Sequence, residues 1–181
     1  MAYQKFVEST SIYLREVRES DVNDHYYNWL NDPEINQFLE TRYVPRSLEN
    51  IRAFVKSMDG NSHEVFLAIC DKATDKHIGN IKLGPINWIH RYADISLLVG
   101  DKSYWGKGIA TEAIRLVTEF AFYRLNLHKV KAGCYAENVG SKKAFEKVGF
   151  VLEGVMKKQW ILNGEFQDQL YLGLCVEDYK R

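Results

Sequence analysis

A turn punctuated by two glycines, Tyr104-Trp105-Gly106-Lys107-Gly108-Ile109-Ala110-Thr111, stands between segments of different periodicity. The run Ile95 to Val99 before it is apolar and short, as the end of a strand should be. The run Ala110 to Leu125 after it carries Ala110, Ala113, Ile114, Val117 and Ala121 at helical spacing. The order is strand, tight turn, helix. Two glycines let a backbone approach a ligand without Cβ atoms in the way. The turn opens onto a helix N-terminus, whose free N–H groups and positive dipole end favour an anion, typically a phosphate. A lone Gly-x-Gly turn is more often structural, so the flanking chain has to decide.

Before the turn, Ser11 to Val17 reads as a first strand. Ser20-Asp21 reads as the start of a helix carrying Val22, Tyr26, Trp29 and Leu30, which Pro33 ends. Pro33 to Pro45 reads as a loop with a short helical turn, and Ser47 as the cap of a second helix through Met58. His63 to Cys70 is apolar on both faces, as a central strand is. His77 to Leu83 continues the meander, with Gly84-Pro85 as a break. Ala93 to Val99 places Tyr92, Asp94, Ser96 and Leu98 on one face and Ala93, Ile95, Leu97 and Val99 on the other. After the long helix, Lys129 to Tyr135 alternates like a strand. Asn138 to Val148 forms a short helix closed by Gly149. Phe150 to Trp160 and Glu165 to Val176 form a hairpin through Asn163-Gly164. The whole chain, residues 1–181, is expected to be one α+β (mixed α/β) domain.

The formal net charge of +0 excludes a nucleic-acid footprint at whole-chain level. Met1 to Thr10 has no apolar run of the signal-peptide kind, and no stretch is long enough to span a bilayer. No membrane partner is expected, and cytoplasm is the expected compartment. Cys70, Cys134 and Cys175 are far apart and each lies in an apolar run, so they read as buried reduced thiols. His25, His63, His77, His90 and His128 show no ligand spacing, and no metal is expected.

Two motifs now stand in register: Tyr104-Trp105-Gly106-Lys107-Gly108-Ile109-Ala110, then Asn138-x-x-Ser141 followed by Glu146-Lys147-Val148-Gly149-Phe150. Together they resemble the GNAT acetyltransferases, and most closely the Rim-type (RimJ/RimL-like) branch. Trp29-Leu30-Asn31-Asp32-Pro33-Glu34 resembles that branch too. The resemblance runs from the first strand to the final hairpin. It implies a GNAT fold with a single central mixed, mostly antiparallel sheet, its fourth and fifth strands splayed and helices flanking it. It implies acetyl-CoA as co-substrate, wedged into the splay. The backbone of Leu98 and Val99 would hold the pantetheine arm. The turn Trp105, Gly106, Lys107, Gly108, Ile109 and Ala110 would cradle the pyrophosphate, with Thr111 adding a hydroxyl. Asn138 would bond the pantetheine or nearby backbone. Many members carry a tyrosine acid where this chain has Phe145, which has no proton to give. Ser141 is then the nearest hydroxyl in register. It either protonates the leaving thiolate or only bonds the cofactor and helix.

The implied reaction is direct attack of a neutral amine on the thioester in a ternary complex. A lysine-type amine, with a pKa of ~10.4, needs a base, whereas an α-amine near ~8 scarcely does. The oxyanion needs a donor, most simply a backbone N–H of the splayed strand. Asp94 stands where Rim-type relatives often carry glutamate, and is either that base or a structural acceptor on the sheet. Glu40 is either an acceptor-binding carboxylate or a solvated loop charge. An acyl-enzyme on Cys134 is the lesser route. Trp29, Phe38, Tyr43, Trp88, Tyr92 and Trp160 are candidates to line the acceptor site. With Asn36, Arg42 and Arg91 they suit a small-molecule amine such as a nucleotide-linked amino sugar. Ribosomal-protein N-termini, polyamines and antibiotic amines are the other acceptors; Asp94, Glu40, Glu165 and Asp168 are the carboxylates a polyamine would use. A homodimer is allowed. Because Phe145 replaces the tyrosine, an acetyl-CoA-binding module without turnover is the non-enzyme alternative.

Overall fold

The computed structural model describes residues 4–180; the leader reading of Met1 to Thr10 and the domain limits 1–181 extend outside them. Eight strands form one sheet: β1 (Val7–Glu8), β2 (Ile12–Glu16), β3 (Val65–Asp71), β4 (His77–Asn87), β5 (Tyr92–Val99), β6 (Lys129–Tyr135), β7 (Val151–Leu162) and β8 (Glu165–Cys175). Their order is β1-β2-β3-β4-β5-β6-β8-β7. Every neighbouring pair is antiparallel except β5 and β6. That parallel pair is where the long helix, α4 (Ile109–Tyr123), makes its crossover. The remaining helices are α1 (Asp24–Asn31), α2 (Pro33–Asn36), α3 (Leu48–Met58) and α5 (Val139–Val148). The expected fold class is the observed one.

The two faces of the sheet carry separate cores. On one face α4 buries Ile109, Ala113, Ile114, Val117, Phe120 and Ala121 against the sheet, joined by Ala93 and Ile95 of β5. On the other face Val22, Tyr26, Trp29, Ile51 and Val55, from the α1 and α3 region, pack with Phe66 of β3 and Leu98 of β5. The alternation of β5 therefore faces two cores, as its period of two requires.

Several boundaries differ from the sequence reading. The first helix begins later than Ser20-Asp21, because Glu19–Asp21 is a 3-10 turn and Asn23 caps α1 through the N–H groups of His25 and Tyr26. Pro33 does end α1, and then opens α2 at its first turn. Gly84-Pro85 does not break the strand. β4 runs through it to Asn87, and the irregularity is absorbed as a register shift between Leu83 and Ile86. β1 escaped notice because two residues carry no readable period. Among the described residues, no helix is long and apolar enough to cross a membrane.

The α1 layer is locked to the sheet at its entrance. Arg15 of β2 donates twice to Asp21, at 2.7 Å each, and the Arg18 N–H adds a third bond at 2.8 Å. Arg15 and Asp21 are only 3% and 6% exposed, so neither charge survives well without the other. Burial pushes the Asp21 carboxyl up, but the Arg15 bonds and the Arg18 N–H outweigh it and hold it below its ordinary value. His77, at the start of β4, meets Trp29 and Tyr26 edge-on at 5.0 and 5.9 Å and bonds Asn80 at 2.8 Å. Burial lowers its pKa below 6.5. Trp29 lies over Gly100, where an added Cβ would meet the indole at 2.1 Å.

Two outcomes are expected. Asp21→Asn should cost about 3–5 kcal/mol in denaturant unfolding, because it strands Arg15 in the core; a loss near zero would show that the pair does not hold α1. The second concerns pH. A histidine whose folded pKa is depressed stabilises the fold above its unfolded value and loses that contribution as pH falls through 6.5. The unfolding midpoint should therefore drop between pH 7 and 5, and His77→Gln should flatten that drop. An undiminished drop in the variant would place the titration elsewhere. Asp21 acts only lower, below the ordinary 3.8 of an aspartate.

Candidate active site

β5 and β6 pair over only three positions, Tyr92 with Lys129, Ala93 with Val130 and Asp94 with Lys131. Beyond Asp94, β5 stays with β4 as far as Val99, while β6 follows β8 to Tyr135. A wedge opens between them; these are the strands the family counts as fourth and fifth. The Gly100 N–H donates to Ile78 at 2.9 Å, so in the antiparallel ladder the backbone groups of Ser96 and Leu98 also point at β4. Those of Leu97 and Val99 point into the wedge. This corrects one expectation, since the Leu98 backbone is committed to β4 and its side chain to the α1 face. Leu97 takes its place beside Val99.

The glycine turn closes the mouth of the wedge. Asp101 starts it, accepting from the Ser103 N–H and hydroxyl at 2.9 and 2.7 Å and from Lys76 at 2.6 Å. Burial pushes the Asp101 carboxyl up, but Lys76 and Ser103 prevail and bring it down to about 2. The Trp105 indole N–H donates to the Val99 carbonyl at 2.7 Å, strapping the turn to the end of β5. Gly106 and Gly108 have φ of +72° and +83°, left-handed values that a side chain resists. Gly108 is the cap of α4 and, among the described residues, no side chain caps the helix, so the first-turn donors at Ile109, Ala110 and Thr111 are left for another acceptor. Ile109 turns its side chain into the core, Ala110 and Thr111 are half-buried, and Lys107 is exposed beside the Tyr104 ring.

On the β6 arm, Asn138 caps α5 by accepting the Ser141 N–H at 3.0 Å. Its carbonyl oxygen is thereby used, which leaves the amide NH₂ for a ligand. Ser141 is half-buried at the first turn of α5. Phe145 is 2% exposed and packs edge-on against Phe150. Cys134 is buried in the α4 core, and burial pushes its thiol up, away from the thiolate an acyl-enzyme needs.

Across the sheet, beneath α1 and α3, lies a cavity of about 410 Å³ reaching the Ser96–Leu98 edge of β5. Asp94 sits at the apex of the wedge and on this face. Burial raises its carboxyl, against the pull of Lys131 at 3.3 Å. Tyr92 shares the face, with Lys131 4.7 Å from its ring centre. Phe38, Glu40 and Tyr43 gather at the end of β6. There the Tyr135 hydroxyl donates to Glu40 at 2.8 Å and accepts from Arg42 at 3.0 Å, while the Tyr135 ring lies 4.4 Å from Trp160 and 5.7 Å from Phe38. Arg42 and the Tyr43 hydroxyl both donate to the Ile161 carbonyl.

None of the expected acceptor residues, Trp29, Phe38, Glu40, Tyr43, Trp88 and Tyr92, is among those that line the cavity. Trp29, 6% exposed, is core that wedges α1 onto β4 and Gly100. Trp88 stands in the β4–β5 turn, at the opposite end of β5 from the glycine turn, and bonds the Ser62 carbonyl. Arg91 is likewise occupied at that end by Asn126. Tyr135, Leu97, Ser96 and Arg46 went unread because their place depends on pairings between distant segments. The same holds for His128, Cys175 and Glu177, whose ligand atoms come within 4.8 Å of one another where β6 begins and β8 ends.

A forked mixed sheet, with a glycine turn and an uncapped helix at its mouth, is an arrangement suited to a phosphate-bearing group beside a strand edge. The model of the acetyltransferase (GNAT) domain family matches residues 11–151, and the chain belongs to that family of acetyl-CoA-dependent N-acetyltransferases. It is 37% identical over 118 residues to the Bacillus subtilis protein named "Probable N-acetyltransferase YjcK"; the match spans 64% of each chain, less than two thirds of that relative. A crystal structure of spermidine N-acetyltransferase from Vibrio cholerae in complex with CoA and spermine superposes with a TM-score of 0.84 at 26% identity, covering 93% of this chain and 97% of that one. RimL, a ribosomal L7/L12 α-N-protein acetyltransferase solved with coenzyme A, has a TM-score of 0.86 at 22% identity, covering 97% and 99%. At that identity the likeness is one of fold.

Gly108→Val should weaken acetyl-CoA binding by about tenfold or more, since it disturbs the donors at the mouth. A Cβ at Gly108 meets no protein atom within 4 Å, so the fold should lose only the about 1–2 kcal/mol of left-handed strain. Unchanged affinity by calorimetry would rule out this turn as the anion cradle.

Proposed function

We propose that the wedge between β5 and β6 seats acetyl-CoA and that the cavity beneath α1 and α3 presents the primary amine of a small molecule to it. One observation carries this reading: two sites of different character meet at a single strand edge. The wedge offers the backbone N–H and carbonyl of Leu97 and the N–H of Val99, with the glycine turn at its mouth. The cavity is about 410 Å³ and reaches the same edge from the other face. It suits a compact molecule more than an extended peptide. A nucleotide-linked amino sugar is one member of that class of acceptor.

In this reading the donors of Gly106, Gly108, Ile109, Ala110 and Thr111 hold the pyrophosphate. Leu97, Val99 and the Asn138 amide hold the pantetheine arm. Asp94 accepts the amine proton, directly or through water, and its raised carboxyl suits that task at neutral pH. The amine nitrogen bonds the acetyl carbon and the carbon–sulfur bond breaks. A wedge-facing N–H of β5 receives the oxyanion. Ser141 or water returns a proton to the CoA sulfur. The burial of Cys134 supports direct attack over an acyl-enzyme.

A second reading, a polyamine acceptor, draws support from the spermidine enzyme of Vibrio cholerae. Against it, none of the residues lining the cavity is acidic. The test is thiol release from acetyl-CoA with a panel of amines: amino sugars, amino acids, polyamines and short peptides. Asp94→Ala should lower kcat by about a hundredfold, and Ser141→Ala by less. As a base, Asp94 works ionised, so activity should fall on the acid side and Asp94→Asn should remove that limb. Full turnover in both alanine variants would take these two residues out of the chemistry.

A further inference from the structure

We infer that the acceptor carries an oxyanion, a carboxylate or phosphate, as well as its amine, and that Arg46 is the residue that selects it; this rests on the cavity being the acceptor site. Two cationic side chains line the cavity, Arg46 and Lys82, and no acidic one does. Lys82 is already neutralised by Glu64 at 2.6 Å. Arg46 is not. Its Nε–H is buried without a hydrogen-bond partner, and so is the Thr41 hydroxyl on the same wall. A buried guanidinium donor left unmade is costly, and here, on the wall of a cavity, an oxyanion is the partner its chemistry fits.

The arginine is also held ready. The Arg46 N–H donates to the Asn31 side-chain oxygen at 3.0 Å, and the Asn31 NH₂ donates back to the Arg46 carbonyl at 3.0 Å and to Tyr27 at 2.9 Å. The last residue of α1 thus fixes the backbone from which Arg46 reaches into the cavity. A guanidinium fork fits the two oxygens of a carboxylate or phosphate, and a hydroxyl such as that of Thr41 supplies a further donor. Asn50, Asn80 and Ser96 add neutral polar groups to walls that are otherwise mostly apolar, as sugar or amide recognition requires. A polycation would meet Arg46 with no carboxylate on the walls to offset it. The arginines first favoured for anion contacts are engaged elsewhere, Arg42 with Tyr135 and Ile161 and Arg91 with Asn126.

The experiment compares matched amines on the CoA-loaded protein by calorimetry: glucosamine against glucosamine 6-phosphate, cadaverine against lysine, and spermidine. The anionic member of each pair should bind roughly tenfold to a hundredfold tighter than its partner, and spermidine most weakly. The phosphate pair and the carboxylate pair separate the two sources of the oxyanion. Arg46→Gln should erase the preference, Arg46→Lys should keep part of it as a point charge, and Thr41→Val should reduce it. Equal binding within both pairs, tighter binding of spermidine, no binding by any, or a preference untouched by Arg46→Gln would each overturn the proposal. Thiol release is read separately. Anionic amines that bind through Arg46 yet release no thiol would sink the transfer reading of this cavity and leave Arg46 as its anion site.

Discussion

The site exists because one strand pairing stops early. β5 and β6 share three positions and then part, each keeping its other neighbour. A strand edge in the middle of a sheet is an unusual object: Leu97 and Val99 are half-buried, and their wedge-facing N–H and C=O groups have no ladder partner. Something must satisfy them. At Val99 the carbonyl is met by the Trp105 indole, which also fixes the turn that follows. The other wedge-facing groups of Leu97 and Val99 are the natural partners of an extended ligand with alternating amides. The parallel direction of the pair matters as much as its length. It requires a crossover, the crossover is α4, and α4 brings its uncapped N-terminus to the mouth of the wedge.

The two faces of the sheet divide the remaining work. The α4 face is built from an unbroken core and carries Cys134 and Phe145 as packing residues. The α1 face is looser, with a small core around Tyr26 and Trp29 and a cavity beside it. What keeps that layer in place is polar: the Arg15–Asp21 pair at its entrance and His77 beneath its rings. A cover held by a few specific contacts can shape a cavity without filling it. The same contacts explain why Trp29, which looks like an acceptor residue in the sequence, is structural.

Much of this was legible in the sequence where the signal is local. The turn at Gly106 and Gly108, the stripe of α4, the caps at Ser47 and Gly149 and the Asn163-Gly164 hairpin all depend on residues close together in the chain. Phe145 as core followed from its lack of a hydroxyl and its place on the inward stripe of α5. The misreadings share a cause. Leu98 and Val99 look alike in sequence, and only the Gly100 bond to Ile78 decides which of them faces the wedge. Trp88 and Arg91 neighbour the right strand but at its wrong end. Tyr135 and Glu40 are 95 residues apart, so no spacing could join them. Arg46 had no motif at all; it stands out only as a cavity-lining residue whose Nε–H is buried without a partner among the described residues.

The lack of a tyrosine hydroxyl at Phe145 then shifts the weight of the chemistry. A free thiol has a pKa near ~8.5, so a thiolate leaves without urgent need of an acid, whereas an alkylamine near ~10.4 must first lose a proton. The harder proton is the one on the acceptor. In the proposed reaction that puts the chemical burden on the cavity side of the sheet, where Asp94 lies at the apex with burial raising its carboxyl against the pull of Lys131. An acceptor anchored at a distance from its amine gains most from such a site. Binding energy at the anchor fixes the nitrogen against the strand edge, and orientation of that kind is worth several powers of ten in rate. On the proposed assignment, capture of acetyl-CoA and choice of acceptor are separable in this fold, one resting on a local turn and the other on contacts between distant segments.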